Sequence, residues 1–232
     1  MKDAAVKGNA ALWAAVARFN APRAEDFAPE SLPEESAALL RAGTLARLEA
    51  SRAGRALVRA WLLRHWGAEP GFADFADERR RLALLGRDVL RRLALVYGGC
   101  LYAREAALCV RREEAAALRA LLGEHYAYVL SRGRLLVMRG SEYFSAFKKN
   151  LPLPERMAGA GFHALRLCLA FWPADLFRLA SCRLPAELRP AAKAASGGRV
   201  KPAEAALAEL VWTDVKKLLL VEVAPQWQAC FA

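Results

Sequence analysis

Residues 78–110 read ERRRLALLGRDVLRRLALVYGGCLYAREAALCV, and the period of this stretch decides the fold class. Leu82, Leu85, Val89, Leu93, Val96, Tyr97 and Cys100 recur at spacings of three and four, which puts them on one helical stripe. Arg80, Arg81, Arg87, Arg91 and Arg92 fall off that stripe, so one side is oily and the other positive. Each fully buried large side chain contributes roughly 1.5–3 kcal/mol, so the stripe supplies on the order of 10–20 kcal/mol gross. That is an upper figure, because a compact denatured chain already hides part of this surface. The segment predicts a nearly continuous central helix that carries no chemistry and exists to be packed against. Its weak point is Gly98-Gly99, a place for a kink or for the close approach of another backbone.

The same period continues on either side. Residues 111–130 predict the partner helix, with Leu118, Leu121, Leu122, His125 and Val129 aligned, and antiparallel pairing of the two is the expected core. Upstream, Leu12, Trp13, Val16 and Phe19 predict a helix within residues 1–20, ended before Pro22. A proline-punctuated connector follows over 22–33. Helices are then expected over 34–50, with Gly43 as a weak point, and over 52–66, where Leu57, Val58, Trp61, Leu62 and His65 share a face. Downstream, helices are expected over 155–172 and 175–183. Residues 188–202 (LRPAAKAASGGRVKP) hold almost nothing to bury and predict a mobile loop. A last helix begins near Pro202 with Leu207, Leu210, Val211, Val215, Leu218 and Leu219. The expectation is a single all-α domain over 1–232, irregular and compact rather than a simple up-down bundle.

Composition bounds the function. The chain has 232 residues, 56% of them apolar, and a formal net charge of +11; its mean hydropathy is +0.10 and its isoelectric point about 9.9. No apolar run is long enough to span a bilayer, and the first residues lack a secretory core, so a cytoplasmic protein without direct membrane insertion is expected. The surplus charge, largely arginine, suits a solvated surface, an acidic protein partner or nucleic acid. Five cysteines with no CxxC spacing predict buried reduced thiols rather than zinc. No phosphate-cradling glycine loop, nucleophile elbow or HExxH is present, so no cofactor, metal or catalytic residue is assigned. His125 and Cys109 are the groups an unrecognised enzyme would use. Arg79–Arg81, Arg91/Arg92, Lys148/Lys149 and Lys216/Lys217 are the groups a phosphate backbone would meet, although aromatics are not interleaved with them.

The order of several stretches resembles a known family. RRLALVYGGCLYAREAALCVRREEAAALRALLGEHYAYVL (91–130), LRLCLAFW (165–172), RLASCRLP (178–185) and DVKKLLLVEVAPQWQACF (214–231) follow one another as in the accessory adaptor of bacterial type III secretion sorting platforms. Arg92 to Gly99 is similar to that family's Arg-Leu-Gly-Leu-Val helix with a small-residue step. The tail is similar to its Lys-Leu-Val-Lys-x-Val-x-Pro ending, and LWAAVARFN fits its short aromatic start. The resemblance implies a helical, non-enzymatic cytoplasmic adaptor held at the inner membrane through the secretion apparatus. It would link the pod protein to the forkhead-associated-like cytoplasmic domain of the inner-membrane ring protein. The resemblance brings no contact residues with it, so these are nominated on physical grounds. Arg80, Arg87 and Arg91 are candidates for meeting an acidic patch, and Trp227 and Phe231 are candidate aromatic anchors. The competing expectation is a basic, nucleic-acid-associated helical protein, whose affinity would fall steeply with salt.

Overall fold

The structure, a computed structural model, describes residues 9–23, 26, 43–65, 71–136, 143–144, 150–181, 183–189 and 202–231. Among these the regular structure is helical throughout, as the periodicity predicts. In chain order the α-helices are α1 (Ala10–Asn20), α2 (Thr44–Glu49), α3 (Arg52–His65), α4 (Arg87–Leu101), α5 (Ala103–Ala107), α6 (Arg112–Leu122), α7 (Tyr126–Leu136), α8 (Leu153–Leu169), α9 (Ala174–Ser181), α10 (Pro202–Leu218) and α11 (Gln228–Phe231). Short 3-10 segments fall between them. Their contacts gather into two compact units, each discontinuous in sequence. Unit 1 is drawn from Met1–Arg87, Trp172–Gly197 and Ala229–Ala232, and unit 2 from Asp88–Phe171 and Gly198–Gln228. The connector over 27–33, residues 34–42 of the helix expected next, and residues 190–201 of the predicted mobile loop lie outside the described residues, as do Lys148 and Lys149.

The central stretch is helical but not one helix. Glu78–Leu84 forms a 3-10 helix, capped by the Asp77 side chain accepting from Arg79 N. The chain then extends at Leu85 (φ −74°, ψ 144°) before α4 begins. The pattern of apolar spacing survives this interruption because a 3-10 turn also returns a side chain to the same face every three residues. The predicted partner helix is broken as well: Gly123, at φ 55°, stops α6, and a 3-10 turn leads into α7. Gly43, expected inside a helix, instead precedes α2 in the left-handed region at φ 68°.

In unit 2 α4 packs on α6 and α7, where Gly99 meets Leu122 and Val129 and Gly133 meets Cys100, and α8 packs along α10. Met157, Leu165, Leu169, Val211, Val215 and Leu218 are fully buried. Gly98 does not kink α4; it lets α8 approach. A Cβ at Gly98 would overlap the carbonyl oxygen of Met157, and a Cβ at Gly161 would overlap that of Ala94. The two backbones therefore touch through reciprocal glycines. Gly99 faces elsewhere, with Leu122 Cδ2 at 3.0 Å and Val129 Cγ2 at 3.1 Å from where its Cβ would stand. Arg156 of α8 ties in α5: its Nη2 lies 2.6 Å from Glu105 Oε2, and its guanidinium covers the Tyr102 ring at 5.1 Å. α10 ends in a single π turn, Leu219–Val223, closed by Ala224 N donating to Leu219 O at 2.8 Å.

In unit 1 the core gathers around Phe75, Leu82, Leu12 and Phe19. Leu12, Val16 and Phe19 of α1 are buried, whereas Trp13, expected beside them, is 39% exposed. On α3, Val58 is buried but Leu57 is 67% exposed and Trp61 half-exposed, so the inward stripe is narrower than the apolar composition implies. Phe75 takes edge-on contacts from Phe19 at 5.8 Å and Phe72 at 5.2 Å. Trp172 packs on Phe177 and donates its Nε1 to Arg79 O at 2.9 Å.

The glycine crossing makes a sharp expectation. Replacing glycine with alanine in a helix interior ordinarily gains up to about 1 kcal/mol. At Gly98 the added methyl meets backbone, which cannot swing aside, so Gly98→Ala should destabilise by about 2–4 kcal/mol. Gly99→Ala meets only side-chain ends and should be close to neutral. Chemical denaturation of both variants checks this; equal effects would show that the crossing does not constrain the unit.

Candidate functional site

The three nominated arginines do not share one helix. Arg80 lies on the 3-10 helix of unit 1 and pairs with the Asp74 carboxylate; it also donates to Asp74 O at 3.2 Å. Arg87 is the first residue of α4, and Arg91 lies one turn further on, exposed and assigned to unit 2; neither is without partners. The break at Leu85 separates Arg80 from the helix that carries the other two, so the spacing that placed all three on one face does not operate across it.

The whole Arg79–Arg81 run, the most inviting stretch for a phosphate backbone, is spent internally. Arg79 makes a bidentate contact with Asp77, with Nη2 at 2.9 Å from Oδ2 and Nε at 3.0 Å from Oδ1. Burial works to raise the Asp77 carboxyl, but these hydrogen bonds and the charges of Arg79 and Arg80 outweigh it and hold the group below the usual range. Arg81 is itself buried, at 6% exposure. Its Nε donates to Phe75 O at 3.0 Å and its Nη1 to Cys230 O at 2.9 Å, so it fastens the C-terminal residues to the body of unit 1.

That clamp corrects the second nomination. Phe231, expected as an exposed anchor, is 2% exposed, because the chain next to it is held down by Arg81. Trp227 sits in a 3-10 turn of unit 2 and is half-buried. The two aromatics belong to different units.

The groups with chemical potential are engaged. His125 is buried, and Glu222 Oε1, presented by the π turn of α10, lies 2.7 Å from its Nδ1. Its Nε2 has no hydrogen-bond partner among the described residues; Glu124 Oε1 stands 3.6 Å away. Cys109 donates to Glu114 Oε2 at 3.2 Å, and its thiol is raised by desolvation and then by that carboxylate. Burial, with Glu222 and Asp214 adding to it, pushes the Cys100 thiol up to about 12, so it stays protonated and inert. His163 stacks on Tyr143 at 6.3 Å with Phe144 edge-on at 6.0 Å. Burial and then the Arg166 charge hold it below its ordinary value, against the pull of Glu204. Among the described residues no group of three or more potential metal ligands comes together, and no helix is long and apolar enough to cross a membrane.

What the sequence reading passed over is an arginine-rimmed cavity of about 560 Å³ in unit 1. Arg18 and Arg23 border it from the end of α1 and the turn after it, and Arg52, Arg55 and Arg59 from one face of α3, with Asp26 the acidic residue among the described lining. Ala21, Pro22 and Ala56 give it a small apolar floor. Both walls are locally fixed. Asn20 Nδ2 donates to Phe72 O at 2.8 Å while its Oδ1 accepts from Gly71 N at 2.9 Å. Arg183 covers the Phe19 ring at 4.7 Å and donates to Phe19 O at 2.8 Å. Ser51 Oγ caps α3 by accepting from Gly54 N at 2.9 Å, and a Cβ at Gly54 would overlap Leu48 O, so only glycine allows the tight α2–α3 corner. The signal was present in the sequence as Arg52, Arg55 and Arg59 at i, i+3 and i+7, but it needed Arg18 and Arg23, some thirty residues away, to become a cavity.

Compared with known proteins, the chain matches no family model, no curated protein and no solved structure.

Two outcomes test this electrostatic picture. Arg81→Met leaves the carbonyls of Phe75 and Cys230 unpaired and should cost about 2–4 kcal/mol, with tail-proximal amides losing hydrogen-exchange protection first. For His163 the folded value lies below the unfolded one, so the unfolded chain binds more protons in that window. Stability should therefore fall as pH drops below about 6.5 and be fully retained above it. Thermal unfolding at a series of pH values reads this, and His163→Phe should flatten the dependence.

Proposed function

We propose that this chain is a non-enzymatic adaptor of a bacterial type III secretion sorting platform. In that role it links the pod protein to the forkhead-associated-like cytoplasmic domain of the inner-membrane ring protein, on the cytoplasmic side. The observation that carries the reading is the use the fold makes of the stretches that resemble that family. Arg92 to Gly99 supplies the glycine crossing with α8. LRLCLAFW supplies Leu165, Cys168, Leu169 and Trp172, all buried. RLASCRLP supplies Leu179, Ala180 and Leu184, also buried, and Arg183, which clamps Phe19. The tail supplies Val215, Leu218, Leu219 and Val223 to unit 2 and Cys230 to the Arg81 clamp. Shared motifs that serve packing are what a scaffold needs. The engaged states of His125, Cys109 and Cys100 fit the same reading.

What remains on the outside suits partner contact. Leu108 and Val110, between α5 and α6, are 70% and 94% exposed. In the arginine-rimmed cavity Arg18, Arg52 and Arg59 pair with no carboxylate among the described residues. The nucleic-acid alternative loses its best contact run, because Arg79, Arg80 and Arg81 are all committed to internal acceptors.

The test is co-purification. The tagged chain, expressed in its native cells, should recover the pod protein or the ring protein's cytoplasmic domain, and its deletion should abolish secretion. Recovery of neither component, or secretion that continues without the chain, overturns the proposal.

A further inference from the structure

We propose that the arginine-rimmed cavity of unit 1 is the docking site for an acidic segment of a partner protein, its carboxylates held by Arg18, Arg52 and Arg59 with Arg23 and Arg55 at the flanks. That the occupant is a protein rests on the adaptor reading; the preference for carboxylate anions rests on the cavity itself.

Among the described residues five arginines and Asp26 line the cavity, and Asp26 Oδ2 accepts from Arg23 N at 2.9 Å, which fixes the carboxylate in the turn after α1 and leaves its charge in place. Arg55 donates to the Glu49 carbonyl at 2.9 Å, an uncharged partner that leaves its positive charge in place. No carboxylate pairs with Arg18, Arg52 or Arg59 among the described residues. Like charges that line one cavity repel one another wherever they lie within the screening length of about 8–10 Å in physiological salt, and a bound anion relieves that repulsion. The positive end of the α3 dipole lies on the same side, since Arg52 is its first residue and Arg55 follows one turn later. Guanidinium groups suit this task because each presents two parallel N–H donors to a carboxylate.

The shape chooses among anions. The volume, about 560 Å³, is that of a ligand cleft, which runs about 300–1,000 Å³, and admits several side chains at once. None of the described lining residues is aromatic, so they offer no platform on which a base could stack. The floor of Ala21, Pro22 and Ala56 accepts the aliphatic stems of glutamate or aspartate without burying a polar group.

The experiment uses the full chain and a fluorescently labelled, glutamate-rich helical peptide, with its glutamine counterpart as control. The glutamate peptide should bind with an affinity that weakens as salt rises, and the glutamine peptide should not bind. R52Q/R55Q/R59Q should weaken binding by at least about tenfold, the loss expected when several charge-assisted contacts go together. R104Q/R112Q/R134Q removes the same charge from exposed positions in unit 2 and should change it less than about twofold. Thermal unfolding confirms that both variants fold. Equal losses in the two variants, or binding of the glutamine peptide, overturn the assignment. So does duplex DNA that binds more tightly than the peptide with the same dependence on Arg52, Arg55 and Arg59. Co-purification separates this inference from the adaptor reading. If R52Q/R55Q/R59Q still recovers the platform components as the unaltered chain does, the docking assignment falls and the adaptor stands. If the peptide binds at the cavity but the unaltered chain recovers no platform component, the adaptor falls and the anion site stands.

Discussion

Gly98 and Gly161 govern the packing of unit 2. Each occupies the point on its helix where the other helix's carbonyl stands, so α4 and α8 meet with no side chain between them. Two backbones brought this close give Leu93, Val96, Tyr97, Met157 and Leu165 neighbours on every side, and all five are buried. Weak Cα–H···O contacts accompany such crossings, but dispersion and burial, gained when nothing holds the helices apart, contribute more. A small residue at both positions is therefore a condition for the helix arrangement and not a tolerance within it. The rest of the unit follows from the same contact: α10 lies along α8, and α5 is drawn in by Arg156 on Tyr102 and Glu105.

Unit 1 solves a different problem, holding together pieces of chain that are far apart in sequence. It does so with side chains that reach main-chain acceptors. Asn20 joins the end of α1 to residues 71 and 72, Arg183 joins the segment after α9 to α1, and Arg81 joins the chain's last residues to Phe75. A carbonyl offers an acceptor at every residue regardless of side chain, so arginine can serve as a strut wherever its guanidinium arrives. This is why a chain with a formal charge of +11 does not present all of that charge outside. Arg18, Arg52, Arg55 and Arg59 instead line a cavity.

Much of the helical architecture is legible in the residues. The three-and-four spacing of 82–100 predicts which side chains are buried; Leu82, Leu85, Leu93, Val96, Tyr97 and Cys100 are, whereas Val89 is half-buried and its neighbour Leu90 enters the core. The spacing does not tell a 3-10 helix from an α-helix over so short a run, and it reads straight through the break at Leu85. Leu57, Trp13 and Phe231 show the other limit. Apolar character alone placed Leu57 and Trp13 inward and Phe231 outward, whereas the neighbours brought by folding placed them the other way. The cavity escaped the reading because its walls come from segments that no local period connects. Arginines that look alike in sequence, such as Arg55, Arg79 and Arg81, part ways only when the nearest acceptor is known.

By itself, then, the order of apolar and charged residues determined that the chain is helical, which faces of α4, α8 and α10 turn inward, and that Gly98-Gly99 is a special step. Helix formation depends on neighbours within four residues, and those neighbours are written in the chain. The tertiary structure alone decided that Gly98 is a contact and not a kink, that α8 packs along α10, and which arginines are struts and which line a cavity. Those outcomes depend on groups separated by sixty to a hundred and fifty positions, roughly the spans from Gly98 to Met157 and from Arg81 to Cys230. Only folding, which closes such loops at an entropic cost that burial must exceed, brings them within a few ångströms.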